Sequence, residues 1–489
     1  MQPSMLSPKA SRCFGTSAPL VQKGSLVLLT RRARLVAMLL AGCWLQNGAE
    51  PSFCGKVAED IRLQLPSCGA TIPQRGRIPR RVRERRRQVP DRTSDGEARR
   101  LTAQISSTDS ATELLALLEK PVENKNLFNH FHMSAAMTTL ARFKKRRQLR
   151  PADASSSVWA QLAARLSEML VQDALAPRGI ANVFYAVGEL YEQMGEHTSQ
   201  VLPKLCEAVQ AKAAGMVEQA LSNCLLAAAK LQGSAPEALK VVPTLTRYIQ
   251  GKAVSMNSQD LGNCLWAAAR LQDASPEVLD AVPALAKRIA DKAQDMIPQD
   301  LSNCLIAAAK LQDASPEVLD CVPALAKRIP EQVQHMNPQD LSNCLWASET
   351  LQDASPEVLD AVPALAKRIP DKVLHMVPQG QSNCLLAAAK LQDSAPEALE
   401  AVPAVVRRMQ ETIIAMNLQD LSNNFRAVAM LRDASSDVLA LAPELIRRIH
   451  PVIRQLSPEG LQMSLQAAQQ LGEDELRDSL QAEIDRRQR

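Results

Sequence analysis

Four chemically useful residue types recur together in this chain: a glutamine, an asparagine, a variable residue and a base. The sets are Gln259, Asn263, Trp266 and Arg270; Gln299, Asn303, Ile306 and Lys310; Gln339, Asn343 and Trp346, with Thr350 in the basic place; and Gln379, Asn383, Leu386 and Lys390. Gln219, Asn223, Leu226 and Lys230 precede them, and Gln419, Asn423, Arg426 and Met430 follow. If each set lies on a helix, its members fall within about sixty degrees of one another and form a stripe. Amides pair with base edges, cations meet phosphates and rings stack on bases, so the stripe has the chemistry of a groove for single-stranded RNA. The same residues admit a structural reading, in which the asparagines form a ladder between units and Trp266 and Trp346 fill gaps in the core. Residue 306 and its counterparts are the candidate base readers because they vary, whereas an invariant position cannot encode a changing sequence. Rings reach the stripe only at Trp266, Trp346 and Tyr185. A stacking platform in every unit is therefore excluded, and modest affinity with limited discrimination is expected.

Other chemistry is harder to find. The 6 histidines are scattered. His335 and His375 share one repeat position, and "NHFH" at 129–132 has no metal-ligating neighbours, so all are read as surface or packing residues. No nucleophile elbow, paired-carboxylate arrangement or Gly-rich phosphate loop stands out. A non-enzymatic protein without metal, cofactor or small-molecule substrate is the expectation. Five of the 11 cysteines, Cys224, Cys264, Cys304, Cys344 and Cys384, occupy one repeat position. Stacked units lie roughly 10 Å apart, beyond the ~7 Å between Cα atoms that a disulfide tolerates, so these read as small buried thiols in a reducing compartment.

The elements that position the stripe follow from the repeat. "MIPQDLSNCLIA" at 296–307 returns as "MNPQDLSNCLWA" at 336–347 and "MVPQGQSNCLLA" at 376–387. Leu221, Leu261, Leu301, Leu341, Gln381, Leu421 and Leu461 mark an unbroken period of forty, with looser copies around Met133 and Ile180. About nine units fill residues 120–480. Each reads as two helices. Helix A starts at Asn337 as N-cap, with Pro338 first and Asp340 third, and Met336 stapled onto Leu341. Copies with Ile297 or Val377 at the cap should begin less firmly. Leu301, Cys304, Leu305, Ala308 and Leu311 form its buried arc. Helix B begins at Ser315-Pro316-Glu317 and carries Val318, Val322, Leu325 and Ile329 on one stripe. Pro323, repeated at Pro203, Pro243, Pro283, Pro363, Pro403 and Pro443, either kinks helix B or splits it into two shorter pieces. One such pair cannot bury both apolar faces, but a stack of them can. The expected fold is all-α, an α-solenoid of about nine armadillo-like helical hairpins, preceded by a disordered N-terminal region.

Charge divides the chain. Residues 1–100 hold 19 Lys/Arg against 7 Asp/Glu, which leaves 38 against 45 for the remainder of the totals, 57 and 52. The body thus lacks the general basic surface of a nucleic-acid binder. Residues 1–49 contain no acidic residue, and "LVAMLLAGCWL" at 35–45 follows "RRAR". That apolar run falls short of the ~20 residues of a membrane span and fits a signal core or presequence. "LLAGC" at 39–43 also matches a lipoprotein box with Cys43 as the acylated residue, although the preceding segment is too long for one. "RGRIPRRVRERRRQVPDR" at 75–92 suits a transit segment, a solvated tail or an RNA-contacting arm. Residues 1–100 are therefore read as presequence and basic linker directed to a mitochondrion or plastid, 101–475 as the array and 476–489 as a C-terminal cap.

"NPQDLSNCLWA" at 337–347, "LSNCLIAAAKL" at 301–311 and "SPEVLDAVPALAKRIP" at 355–370 resemble octotricopeptide repeats. They are similar also to the helical arrays of FAST-kinase-like organellar proteins and of the armadillo-like subunit of the mitochondrial RNA-editing substrate-binding complex. "NHFHMSAAMTTLARF" at 129–143 looks like the opening unit of such an array, and the resemblance spans roughly residues 100–475. Two features depart from the octotricopeptide pattern: the period of forty and the proline in helix B. The resemblance implies an organellar protein that binds single-stranded RNA, alone or within an RNA-processing complex, in editing, maturation, stability or translation. The alternative is an armadillo/HEAT-like protein–protein scaffold, which the acidic body favours.

Overall fold

The computed structural model describes residues 92–489. Contacts divide the chain into Met1–Arg87 and Gln88–Arg489, and every described residue belongs to the second unit. The expected presequence, most of the basic linker and the Cys43 box lie outside the described residues. Within them the chain is helical, and no helix is long and apolar enough to cross a membrane.

In chain order the helices are α1 Arg92–Ser107, α2 Ala111–Leu118, α3 His130–Lys145, α4 Val158–Val171, α5 Pro177–Met194, α6 His197–Lys212, α7 Glu218–Leu231, α8 Val242–Lys252, α9 Ser258–Leu271 and α10 Val282–Lys292. They continue as α11 Pro298–Leu311, α12 Val322–Gln332, α13 Pro338–Leu351, α14 Val362–Lys372, α15 Pro378–Leu391, α16 Val402–Thr412, α17 Leu418–Leu431, α18 Ala442–Ile449, α19 Pro458–Leu471 and α20 Asp474–Gln488. The odd-numbered helices from α3 to α19 are the A helices, nine among the described residues, each packed on the next. The B segments form a second layer. There α10 lies against the 3-10 helix Pro316–Cys321 of the following unit, and α14 against Pro356's counterpart in the next unit, Pro396–Ala401.

Local chemistry sets these boundaries. Asn337 accepts the N–H groups of Gln339 and Asp340 at 2.8 and 3.0 Å, while the Asp340 carboxylate accepts the Asn337 N–H at 3.2 Å. This is a reciprocal capping box. Asn417 forms the same box with Asp420, and Asn257 accepts the Asp260 N–H without the return bond, whereas Val217, Ile297 and Val377 offer no side-chain acceptor. Pro298 and Pro378 still start their helices, because a proline at the first position forfeits no helical hydrogen bond. From the unit of Pro243 onward helix B is split, whereas the earlier α6 runs unbroken with Pro203 inside it. Pro316–Cys321 is a 3-10 helix, α12 begins at Val322, and Pro323 sits in its first turn, where the missing N–H had no partner to lose. Pro330 and Pro370, by contrast, lie inside α12 and α14, the first exposed and the second half-buried.

The core runs unbroken through the stack. Leu301, Cys304, Leu305, Ala308 and Leu311 are all buried, as are Val318, Val322, Leu325 and Ile329. Cys224, Cys264, Cys304, Cys344 and Cys384 are buried free thiols, and burial pushes Cys384 up to about 12. Gln381 replaces a core leucine yet stays satisfied: its amide donates to the Met376 carbonyl at 2.9 Å and its oxygen accepts the Thr412 hydroxyl at 2.7 Å. At the C-terminal end, α20 packs on α19 and buries Leu476, Leu480 and Ile484.

Candidate nucleic-acid interface

The A helices set the candidate residues in parallel rows. On each helix the core arc faces helix B and the neighbouring units, which turns the opposite side outward. The glutamines Gln259, Gln299, Gln339 and Gln379 are exposed; Asn263, Asn303, Asn343 and Asn383 are half-buried; Arg270 and Lys310 are exposed. The asparagine ladder between units does not form. Among the described residues, the side-chain amides of Asn223, Asn263, Asn303, Asn343 and Asn383 have no hydrogen-bond partner in the protein. A neutral amide left half-open in this way keeps both donor and acceptor available. Trp266 and Trp346 are half-buried with one side against the core, so part of each ring remains on the stripe.

Eight of the candidate residues meet in one groove of about 740 Å³. Trp266 enters from α9, Asn303, Ile306 and Lys310 from α11, Gln339 and Asn343 from α13, and Gln379 and Asn383 from α15. Gly380 helps to open it. Asp260, Asp300, Asp340 and Asp420 stand at this position in other units, and a Cβ at Gly380 would come 3.2 Å from the Ser342 hydroxyl. His375, read from sequence as a surface or packing residue, is exposed on the groove's edge, and Arg147 from the turn after α3 also lines it. No carboxylate is among the groove's described lining residues. Gln259, Asn263, Arg270, Gln299 and Trp346 belong to the same rows but lie outside this lining.

The cations are not equivalent. Lys230 is ion-paired with Glu189, and Lys390 with Glu349 at 2.7 Å. Glu349 stands where neighbouring units have alanine, and it is only 7% exposed. Burial raises the Glu189 carboxyl, but the ammonium of Lys230 and the Tyr185 hydroxyl outweigh that and hold it below the usual carboxylate range. These two lysines, counted from sequence among the phosphate contacts, are therefore tied down. Lys310 has no ion-pair partner among the described residues, and the Arg270 guanidinium lies 5.0 Å from the Trp266 ring centroid. Tyr185 is flanked by two ammonium groups, Lys145 and Lys230, at 5.9 and 5.5 Å from its ring.

Beneath the stripe runs a buried polar row. Ser222 donates to Asp260, and Ser302 to Asp340, both at 2.9 Å and both between consecutive units. Asp300 has no such donor, because Gly262 replaces the serine; burial, with Asp260 and Asp340 adding repulsion, pushes it up to about 6. His132 is buried and structural: its Nδ1 accepts the Asn129 N–H at 3.1 Å, and its Nε2 donates to the Ala98 carbonyl at 2.7 Å. No group of three or more His, Cys, Asp or Glu placed to hold a metal occurs among the described residues.

No family model matches the chain, and no curated protein matches it. Among solved structures it is similar to a "Circular tandem repeat protein with novel repeat topology and enhanced subunit contact surfaces", at 11% identity over 81% of this chain and 94% of that one, with a TM-score of 0.20. A superposition that poor carries no weight, and the fold stands on the helices themselves.

Proposed function

We propose that the array is a non-enzymatic scaffold that binds single-stranded RNA along the inner, A-helix surface of the stack, as part of transcript processing in a mitochondrion or plastid. One observation carries the RNA reading: Asn303, Asn343 and Asn383, unpaired and half-open, share a carboxylate-free groove with Lys310 and Trp266. Amides at successive helix spacings, unpaired cations and a ring suit bases and phosphates better than they suit a metal or a small apolar ligand. The organellar setting is supported by the basic residues of the first hundred positions and by the resemblance of the repeats.

A protein–protein scaffold is the second reading. Leu374, Val377 and Ile414 favour it, because these apolar side chains are exposed on the turns that lead into α15 and α17. Titrating the full chain into a fluorescent, U-rich single-stranded RNA at 50 and 200 mM salt separates the two. RNA binding should weaken steeply with salt, and the double substitution Asn303→Ala/Lys310→Ala should weaken it further by about tenfold. Unchanged affinity in that variant at both salts would place any RNA elsewhere on the chain and overturn the reading.

A further inference from the structure

Arg147 lies outside the forty-residue register, and no repeat position predicts it. It closes α3, with its N–H donating to the Lys144 carbonyl at 2.9 Å and the Gln148 N–H reaching back to Phe143 at 2.9 Å. Its φ is 56°, in the left-handed region that glycine ordinarily occupies at a helix end. A wrapped helix end would form more readily with glycine, so an arginine there invites a question about its side chain. That guanidinium is exposed, makes no ion pair with any described residue, and lines the groove that holds Lys310 and Asn303. The rest of the groove comes from α9, α11, α13 and α15, which pack side by side as one wall, and from the residues that lead into α13 and α15. Between α3 and α9 in the stack stand α5 and α7, so Arg147 is not part of that wall. It faces it.

Resting on the RNA reading above, we propose that Arg147 is a specificity-determining residue that makes the groove a two-walled clamp, selecting unpaired RNA over duplex. The planar guanidinium grips a phosphate with two parallel hydrogen bonds, while Lys310 opposite supplies a compact charge. Between them Asn303 and Asn343 meet base edges, which only an unpaired strand presents. The space of about 740 Å³ is on the scale of a cleft for a small ligand.

The test uses the full chain, a fluorescent twelve-nucleotide single-stranded RNA and its blunt duplex. Arg147→Gly keeps the backbone conformation, Arg147→Lys keeps the charge without the fork, and Asn303→Ala/Lys310→Ala disables the facing wall; circular dichroism confirms that each variant is folded. The unaltered chain should prefer the single strand by about tenfold or more. Arg147→Gly should lose roughly tenfold in single-strand affinity, with a salt slope shallower by about one, and Arg147→Lys should fall between. If Arg147→Gly binds like the unaltered chain while the facing-wall variant is weak, the clamp is wrong and the RNA reading stands. Indifference of every variant overturns both. Equal affinity for duplex sinks the clamp, and displacement of the RNA by polyglutamate at matched charge would mean that the groove takes an acidic protein instead.

Discussion

Asp300 is a carboxylate kept where it is uncomfortable. Its folded value of about 6 lies above the ordinary aspartate value that the unfolded chain restores, so the folded state binds the extra proton between those limits. Stability from this group therefore falls as pH rises from about 4 through about 6, and the full penalty is present at neutral pH. Asp300→Asn should raise the melting temperature at pH 7.5, by the equivalent of about 1–3 kcal/mol, and leave it unchanged near pH 4. Thermal melts at the two values check the sign. Lys390 offers the opposite case. Lys390→Ala leaves Glu349 buried without its ion partner and should destabilise by about 1–2 kcal/mol. Adding Glu349→Ala should recover most of that loss, since alanine is what units on either side carry. The stripe itself was legible in the sequence, because four residue types at helical spacing fix a direction on the helix. The pairing of Lys390 was not, for its partner sits 41 residues away at a position that is otherwise alanine. Nor was Arg147, which belongs to no repeat position.

Helix starts and stops divide the units into firm and loose. Asn337→Ala should cost about 1 kcal/mol, measured by denaturant titration, because two N–H groups lose their acceptor. Ile297→Asn and Val377→Asn should stabilise by a similar amount or somewhat less, since their helices begin without a side-chain cap. These differences were readable from the cap residue alone. Pro323 was ambiguous between a kink and a split, because sequence places a proline on a helix but does not say where the helix begins. The 3-10 helix Pro316–Cys321 decides the matter: its tighter winding lets α10 of the preceding unit lie against it. Pro323→Ala should accordingly shift stability by under about 1 kcal/mol, against ~3 for a proline within a regular helix.

At the scale of the molecule, the units are exchangeable parts of one stack, each relying on its neighbours for burial. Deleting residues 298–337, one complete period, should leave a folded array with unchanged helicity per residue and a shortened groove, whereas deleting twenty residues should not fold. Circular dichroism and the RNA titration read both outcomes. The division of the chain near residue 88 had no counterpart in the repeat pattern; it showed only as the shift in composition from the basic head to the array. The column of thiols, Cys224 to Cys384, gives the stack an internal gauge. Each sulfur is sealed while its unit stays closed and becomes alkylatable when that unit opens, so mass spectrometry of time-resolved labelling would record, rung by rung, where the array breathes first.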